Sequence, residues 1–343
     1  MPEKRTISEF LTERTTAPLI DVRSPGEFAH GHIPGAVSIP LFSDEERAIV
    51  GTLYKQQGRD EAVLKGLDIV GPKMSSFVLE ARKIAPDRKL RVHCWRGGMR
   101  SESMAWLWSM NGFEVSVLAG GYKAYRQQVH SDFAEPLKLK IVGGKTGSGK
   151  TEVIRILAEK GEQVLDLEGI AHHKGSAFGA LGQAPQPTVE QFENDLHLAL
   201  SQLDRSKTIW VEDESVSIGR VFIPQPFWEQ MMVAPVYVAE VPFELRVERL
   251  VAEYGCFSPE ELENSLLKIE KRLGGNNLKP ALAALHSGDY AEVARISLRY
   301  YDKAYALSFA RKAQEHVHLL PDPGSTPREI AEKLIRFIPP NER

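Results

Sequence analysis

The stretch Leu90-Arg91-Val92-His93-Cys94-Trp95-Arg96-Gly97-Gly98-Met99-Arg100-Ser101 predicts a strand, a glycine-rich loop and the start of a helix. Residues 90–92 form the strand, and residues 101–111 carry large apolar side chains at helical spacing. Strands that alternate with helices are typical of α/β folds with a parallel sheet, whose sites lie at the carboxyl ends of the strands. The stretch therefore predicts that Cys94 lies at such an end.

The loop that follows the strand suits a reactive cysteine. Backbone N–H groups at a helix start, together with the cationic side chains of Arg96 and Arg100, favour a thiolate at Cys94 and can hold an oxyanion. A purely structural cysteine is the alternative, since free cysteines are often buried in a core. The glycines and arginines around this one favour a nucleophile for a substrate that carries phosphate or a chalcogen. We expect the donor to be bound by Trp95, Arg96, Gly97, Gly98, Met99, Arg100 and Ser101.

A second motif, Gly144-Lys145-Thr146-Gly147-Ser148-Gly149-Lys150-Thr151, satisfies the phosphate-binding pattern G-x-x-x-x-G-K-[ST]. A predicted strand over residues 138–143 precedes it, and an amphipathic helix over residues 152–160 follows it, as the motif requires. The glycines allow successive amides to face a phosphate chain, Lys150 can reach the terminal phosphates, and the Thr151 hydroxyl can ligate a magnesium ion. The motif predicts a phosphate site, and it leaves the use of ATP or magnesium open.

Composition sets limits on the class of protein. The chain has 343 residues and a net charge of -3, with 42% hydrophobic and 26% charged residues, which is typical of a globular protein that can form two domains. A polyanion would need a local basic patch, since the overall charge attracts none. No apolar stretch is long enough for a membrane span, and two cysteines make no disulfide framework. We therefore expect a cytoplasmic protein without a membrane partner.

The order of elements predicts two α/β domains. We expect a parallel-sheet domain over residues 1–130, a linker over residues 131–137, and a P-loop α/β domain over residues 138–343. A run of helices at about residues 257–313 is expected as an insertion in the second domain. Its helices are predicted over residues 259–273, 279–286 and 290–312. Residues 42–72 are predicted to be a polar, irregular stretch with helical turns around residues 45–56.

Further candidate residues lie in the second domain. The segment 166–179 follows its second predicted strand, so we expect it to line the phosphate cleft as a substrate-binding loop. Adjacent histidines diverge and cannot easily share one metal ion, and no further zinc-ligand spacing accompanies them. The candidate substrate-binding residues are Asp166, Glu168, His172, His173 and Ser176. Asp213, after the strand over residues 208–211, is a candidate acidic partner for a metal ion at Thr151, with a solvent-facing strand end as the alternative.

The helices of residues 257–313 mix basic and aromatic side chains. Basic groups can hold phosphates, and tyrosines such as those at positions 300, 301 and 305 can stack on unpaired bases. Ordinary solvated helix faces are an equal alternative, because glutamates are interspersed. The candidate nucleic-acid contacts are Arg295, Arg299 and Arg311.

The first domain resembles the rhodaneses. The resemblance lies in Ile20-Asp21-Val22-Arg23, Gly31-His32-Ile33-Pro34-Gly35-Ala36, the Cys94 loop and Leu118-Ala119-Gly120-Gly121-Tyr122. It implies a loop cysteine that carries a transferable chalcogen. A typical rhodanese loop has four residues between cysteine and arginine, whereas five separate Cys94 from Arg100, which also fits the C-x5-R loop of cysteine phosphatases. The loop alone leaves both chemistries open.

A rhodanese-like domain followed by a P-loop domain resembles the tRNA 2-selenouridine synthase family. The segments Asp166-Leu167-Glu168-Gly169, His172-His173 and Gly175-Ser176-Ala177-Phe178-Gly179 support that resemblance. It implies a transferase that replaces the sulfur of wobble 2-thiouridine in tRNA with selenium from selenophosphate. It also implies transfer of a geranyl group from geranyl diphosphate to that sulfur, with no tightly bound cofactor.

Two other functions are compatible with parts of the sequence. One is a bifunctional protein with cysteine phosphatase activity and an ATP-binding loop, although the Cys94 loop offers no evident general acid. The other is a non-catalytic tRNA-binding regulator, against which the intact Cys94 and the complete phosphate motif argue.

Overall fold

The computed structural model describes residues 2–12, 17–310, 316–320 and 326–337. The chain divides into two compact units, Met1–Asp132 and Phe133–Arg343. Each unit is built on a parallel sheet flanked by helices, so the predicted α/β class with a phosphate-loop fold in the second unit is confirmed. Within the described residues, every helix is too short or too polar to cross a membrane.

The first unit begins at an edge strand and ends in a helix that follows the last strand of its sheet. Its elements in chain order are β1 (Glu3–Arg5), α1 (Ile7–Thr12), β2 (Leu19–Asp21), α2 (Pro25–His30), β3 (Ala36–Ser38), α3 (Asp44–Gln56), α4 (Arg59–Val70), a 3-10 turn (Gly71–Lys73), α5 (Met74–Ile84), β4 (Lys89–His93), α6 (Met99–Met110), β5 (Glu114–Leu118) and α7 (Gly121–Asp132). The strands pair in parallel in the order β1-β5-β4-β2-β3. The strand that leads into Cys94, β4, is therefore central.

The core of this unit packs α5 and α6 against the sheet. Trp108 of α6 is fully buried, and its indole N–H donates a hydrogen bond of 3.1 Å to the carbonyl of Phe77 on α5. Large buried rings contribute much of the apolar area that stabilises a domain of this size. This packing fixes α6, and with it the end of the cysteine loop.

Helix α3 coincides with the helical turns that were predicted around residues 45–56. The prediction that residues 42–72 are otherwise irregular was wrong, because α3 and α4 are both regular helices. Their exposed faces are so polar that the sequence has little apolar periodicity. Helix α3 nevertheless has a capped N-terminus. The Ser43 hydroxyl accepts a hydrogen bond from the Glu46 amide, and the Glu46 carboxylate accepts one of 2.8 Å from the Ser43 amide. Such a reciprocal cap satisfies amides that a helix start otherwise leaves unpaired. Strand β1 was not predicted, since three residues at a sheet edge carry almost no pattern.

The second unit begins with the strand that leads into the phosphate loop. Its elements are β6 (Lys138–Gly143), α8 (Lys150–Glu159), β7 (Gln163–Leu165), α9 (Leu167–Ala171), α10 (Val189–Ser201), β8 (Thr208–Glu212), β9 (Ser217–Ile218), β10 (Val221–Phe222), α11 (Gln225–Val233), β11 (Val236–Val238), α12 (Phe243–Tyr254), α13 (Pro259–Lys268), α14 (Glu270–Leu273), α15 (Gly275–His286), α16 (Tyr290–Phe309), β12 (Val317–Leu319) and α17 (Pro327–Phe337). A parallel sheet has the order β12-β11-β6-β8-β7, and β9 and β10 pair antiparallel. The phosphate loop therefore leaves a central strand.

The helical insertion has its own apolar core. Helices α13, α15 and α16 bury leucines and valines against one another and against Phe178. One predicted helix over residues 259–273 is divided into α13 and α14, because Ile269 leaves the helical conformation. Helix α15 begins at Gly275 and not at the predicted residue 279, and it includes Pro280. The end of α16 is described to Phe309.

Candidate active sites

Cys94 lies directly after β4, at the carboxyl end of the central strand. Its side chain is 3% exposed, and its Sγ atom lies 3.2 Å from the Ser101 hydroxyl and 3.9 Å from the Gly98 carbonyl oxygen. The Ser101 hydroxyl is also 3.0 Å from the Gly98 carbonyl, to which it donates. The sulfur is thus held against the first turn of α6, where helix amides favour negative charge.

Two glycines allow the cysteine loop to approach the start of α7. Gly97 and Gly121 have φ angles of +64° and +61°, which favour glycine. A Cβ at Gly97 would lie 2.3 Å from the Leu118 carbonyl oxygen, and one at Gly121 would lie 2.4 Å from that of Cys94. The Tyr122 amide donates to the Cys94 carbonyl at 2.8 Å. The glycine pair 120–121 of the rhodanese-like motif therefore supports the loop from behind.

A buried charged cluster lies beneath the loop. The Arg23 guanidinium pairs with the Asp21 carboxylate at 2.6 Å and lies 3.8 Å from the centre of the Tyr122 ring. Burial alone would raise the pKa of Asp21, but His93, 3.7 Å away, and Arg23 lower it overall. Burial is also the main reason that the pKa of His93 is lowered. These residues lie beneath the loop and help to position it.

The two predicted donor-binding arginines have different surroundings. Arg100 forms an ion pair of 2.7 Å with Glu27 of α2, a residue that the sequence analysis did not single out. Burial opposes ionisation of Glu27, but the hydrogen bond from Arg100 and its charge bring the pKa of Glu27 below its usual value. Arg96 is exposed and has no ion pair among the described residues. Trp95 and Met99 are exposed beside it.

The phosphate loop curls over the start of α8. Gly144, Gly147 and Gly149 have positive φ angles of 152°, 78° and 84°. A Cβ at Gly144 would lie 2.5 Å from the Ser148 hydroxyl, so this position requires glycine. The Lys150 ammonium donates to the Gly144 carbonyl at 3.2 Å, across the loop. The predicted residues 144–151 thus form a compact loop with a lysine at its centre.

Two arginines of α12 bind the outward carbonyls of this loop. The Arg246 guanidinium donates to the Thr146 carbonyl at 3.2 Å and forms a two-pronged ion pair with Asp302 of α16, with both distances 2.7 Å. Arg249 donates to the Ser148 carbonyl at 2.6 Å. These two arginines therefore hold the outer side of the loop through its carbonyls. Sequence analysis missed both arginines, which lie about one hundred residues from their partners.

Tyrosines of α16 contact the phosphate loop and the segment after β7. The Tyr305 hydroxyl accepts from the Gly144 amide at 3.2 Å and donates to Asp213 at 3.4 Å. The Tyr301 hydroxyl accepts from the Ala177 amide at 2.8 Å, and burial raises the pKa of Tyr301 to about 12. Burial also raises the pKa of Tyr305. Both hydroxyls are therefore engaged inside the unit, and stacking of these rings on bases stays a prediction.

Carboxylates gather beside Thr151. The Thr151 hydroxyl donates to Glu168, and the Glu168 amide donates to Glu212 at 2.8 Å. Burial raises the pKa of Glu212 to about 8, and the charges of Asp166 and Glu168 act in the same direction. Burial and Glu168 also raise the pKa of Glu214.

The carboxylate that accepts the hydrogen bond of Thr151 is thus that of Glu168. Asp213, the predicted acidic partner, accepts a hydrogen bond from Tyr305. Gly175 packs closely against this cluster, because a Cβ at this position would lie 2.7 Å from Glu214 and 2.9 Å from Glu168. Across residues 2–12, 17–310, 316–320 and 326–337, no group of three or more His, Cys, Asp or Glu side chains is arranged to hold a metal ion.

The remaining residues of the predicted substrate loop have mainly local contacts. Asp166 caps α9 through the Gly169 amide at 2.7 Å. His172 adopts a left-handed conformation with φ +51°, and its ring lies 3.0 Å from the Pro185 carbonyl. His173 is buried, its Nδ1 has no hydrogen-bond partner among the described residues, and burial lowers its pKa. Ser176 lines a pocket beside the phosphate loop.

The candidate nucleic-acid arginines also differ. Arg295 is paired with Glu244 at 3.0 Å and lies 3.6 Å from Glu292. Arg299 is exposed and forms no ion pair in the described part of the chain. Arg311 lies outside the described residues. Of the two described arginines, Arg299 is therefore the one whose charge is more available to a phosphate.

Together these features define a two-domain protein with a rhodanese-like cysteine site and a phosphate-loop site. A family model described as rhodanese-like domain matches residues 6–128. A second, described as tRNA 2-selenouridine synthase AAA domain, matches residues 137–320. The chain belongs to the tRNA 2-selenouridine synthase family, as the resemblance predicted.

Individual relatives agree with the family models. The tRNA 2-selenouridine synthase of Sulfurovum sp. (strain NBC37-1) is 37% identical over 332 residues, covering 86% of this chain and 90% of the relative. That of Cronobacter sakazakii is 36% identical over 340 residues, covering 87% and 88%. Among solved structures, the N-terminal domain of a putative ATP/GTP binding protein from Clostridium difficile 630 is 41% identical, covers 37% of this chain and 98% of its own, and has a TM-score of 0.36.

Proposed function

We propose that this tRNA-modifying enzyme replaces the sulfur of wobble 2-thiouridine with selenium, through an S-geranylated intermediate. The supporting observation is that one chain of this family combines an intact Cys94 loop with a complete phosphate loop. The two loops suit two successive transfers, one that releases diphosphate and one that uses selenophosphate. The substrates are tRNA with wobble 2-thiouridine, geranyl diphosphate and selenophosphate.

The first step makes the sulfur a better leaving group. The 2-thiouridine sulfur attacks the first carbon of the geranyl chain, and the carbon–oxygen bond to diphosphate breaks. The amides of the phosphate loop and Lys150 would stabilise the charge on the departing diphosphate. Lys150 is already oriented across the loop by its bond to the Gly144 carbonyl. No nucleotide hydrolysis is required for this step.

The second step exchanges the alkylated sulfur for selenium. Alkylation makes C2 of the base electrophilic, so selenophosphate adds there through its selenium and geranylthiol departs. Water then cleaves the phosphorus–selenium bond, which releases phosphate and leaves 2-selenouridine. Cys94 would direct the selenium of selenophosphate towards C2, and Arg96 with the loop amides would bind its phosphate part. The guanidinium of Arg100 would also attract the phosphate part, although it is already paired with the Glu27 carboxylate.

Mass spectrometry of tRNA nucleosides tests both steps. Purified protein is incubated with tRNA that contains 2-thiouridine, first with geranyl diphosphate alone and then with selenophosphate added. We expect S-geranyl-2-thiouridine in the first reaction and 2-selenouridine in the second. No geranylated nucleoside, with 2-selenouridine formed from selenophosphate alone, would overturn the two-step route.

The same preparation separates the alternatives. The first alternative is cysteine phosphatase activity, which the five-residue spacing between Cys94 and Arg100 also fits. It predicts phosphate release from a phosphate ester and a phosphocysteine at Cys94. A regulator predicts tRNA binding without any change in nucleoside composition. Either result, in place of modified nucleosides, would replace the proposed function.

A further inference from the structure

An apolar pocket adjoins the phosphate loop in the second unit. It lies among α12, α13, α16 and the segment that contains Ser176, and it encloses about 470 Å³ of empty space, including space open to solvent. The loop residue Thr146 forms part of its lining, so the pocket and the phosphate loop are continuous.

Several polar groups line the pocket beside the phosphate loop, and the buried Ser297 hydroxyl of α16 lines it as well. Thr146 belongs to the loop, and its carbonyl is held by Arg246. Ser176 and Tyr301 lie at the same end, where the Tyr301 hydroxyl binds the Ala177 amide. A ligand with phosphates on the loop would therefore enter the pocket from this end.

The side walls are apolar. Leu250 and Val251 of α12 face the pocket, and Val293 and Ala294 of α16 line it as well. Such a surface gains free energy by excluding water, and it offers few hydrogen bonds to a sugar or a base. The occupant that fits an apolar pocket joined to a phosphate loop is amphiphilic, with an anionic head and a hydrocarbon tail.

The pocket is long enough for a chain. Tyr290 and Tyr301, which both line it, are eleven residues apart on α16. At 1.5 Å per residue, that separation is about 16 Å along the helix axis. Tyr301 marks the end at the phosphate loop, so Tyr290 marks the far end.

We propose that this pocket binds the hydrocarbon chain of the diphosphate ester and selects its length. This inference rests on the proposed function, because it assigns the tail of the same donor whose diphosphate the loop would hold. Each buried methylene contributes about 0.8 kcal/mol, which is a factor of about four in the binding constant. Geranyl diphosphate therefore binds the protein at least about a hundredfold more tightly than inorganic diphosphate.

A substitution that fills the pocket tests the assignment by calorimetry. Val251→Trp places a large ring in the pocket from a half-buried position, and the neighbouring exposed Ala252 provides the matched control Ala252→Trp. We expect Val251→Trp to weaken geranyl diphosphate at least tenfold and to leave inorganic diphosphate unchanged. Ala252→Trp should change neither affinity.

The outcomes distinguish the pocket from the function. The Val251→Trp variant must first be shown to bind inorganic diphosphate. If it then binds geranyl diphosphate and transfers the geranyl group as the wild type does, the pocket assignment fails and the proposed function stands. If only ATP is weakened, the pocket binds a nucleotide and the assignment also fails. If geranyl diphosphate is weakened as expected but no tRNA is ever geranylated, the pocket stands and the proposed function fails.

An enlarged pocket gives a test that does not depend on tolerance of tryptophan. Tyr290→Ala removes a half-buried ring at the far end. We expect the ratio of farnesyl to geranyl diphosphate affinities to rise at least about fivefold, since the longer chain gains buried carbons. An unchanged ratio would show that Tyr290 does not limit chain length, and would overturn the proposed selection.

Discussion

The Tyr305 hydroxyl lies 3.2 Å from the Gly144 amide and accepts its hydrogen bond, although 161 residues separate the two in sequence. The same hydroxyl donates to Asp213 at 3.4 Å. Helix α16 therefore contacts the first turn of the phosphate loop directly. This contact joins the helical insertion to the loop on which the proposed geranyl transfer depends.

Tyr305→Phe should destabilise the second unit. Phenylalanine keeps the ring but leaves the Gly144 amide without its acceptor, which costs roughly 1–3 kcal/mol for a buried donor. Thermal unfolding by calorimetry measures the loss. Tyr300→Phe, which removes a hydroxyl with no recorded hydrogen bond in the described residues, is the control. Equal melting temperatures for the two variants would show that the Tyr305 contact contributes nothing.

Lys150→Ala should abolish geranyl transfer, because it removes the loop's ammonium from the diphosphate site. Selenation of tRNA that is supplied already S-geranylated should continue. Calorimetry with geranyl diphosphate measures the first effect and nucleoside mass spectrometry the second. Lys160→Ala, which removes an exposed lysine paired with Glu332, is the control. Unchanged affinity for geranyl diphosphate in Lys150→Ala would mean that the loop is not its binding site.

Cys94→Ala should prevent selenium incorporation and leave geranylation of 2-thiouridine largely intact. The reason is that the sulfur belongs to the second step, whereas the phosphate loop serves the first. The exposed Cys256 provides the control variant Cys256→Ala, which should retain both activities. Loss of the S-geranyl nucleoside in Cys94→Ala would contradict this division of labour.

Glu212→Gln should flatten the pH dependence of stability. Burial raises the pKa of Glu212 to about 8 in the folded protein, above the ordinary value of 4.5. The folded state therefore binds more protons than the unfolded state between these values, so the free energy of unfolding falls as pH rises through them, by at most roughly 1.4 kcal/mol per pH unit. Glutamine carries no such proton, and its carbonyl can still accept from the Glu168 amide.

Urea unfolding between pH 5 and pH 9 measures this slope. Glu214, whose pKa is also raised, will leave a residual slope in the variant. Glu159→Gln, at an exposed carboxylate on α8, should keep the full wild-type slope. Identical slopes for Glu212→Gln and the wild type would show that Glu212 is ionised in the folded protein.

Arg299→Ala should weaken tRNA binding and reduce its salt dependence. Each lost phosphate contact lowers the log–log slope by about 0.7–0.9, without changing base selectivity. Arg295→Ala should have a smaller effect, since Glu244 and Glu292 already balance that charge. Titration of labelled tRNA over a salt series measures both. If neither slope changes, α16 is an ordinary solvated face, and α3 and α4 become the next surface to test.

Local patterns were enough to predict both loops and the alternation of strands and helices. Glycines with positive φ, a strand before each loop and a helix after it are set by residues close together in sequence, which is why the Cys94 loop and residues 144–151 could be read directly. Helix α4 could not be predicted in this way, because an exposed polar helix shows little apolar periodicity, and α3 was indicated only as helical turns around residues 45–56.

Only the tertiary structure decided which side chains meet at each loop. The chain folds so that Arg246 and Tyr305 contact the phosphate loop and Glu168 contacts Thr151, while Glu27 takes part of the charge of Arg100. The apolar pocket likewise needs α12, α13 and α16 together. Contacts of this kind are made by packing between distant segments, and a linear motif carries no information about which helix face will reach which loop.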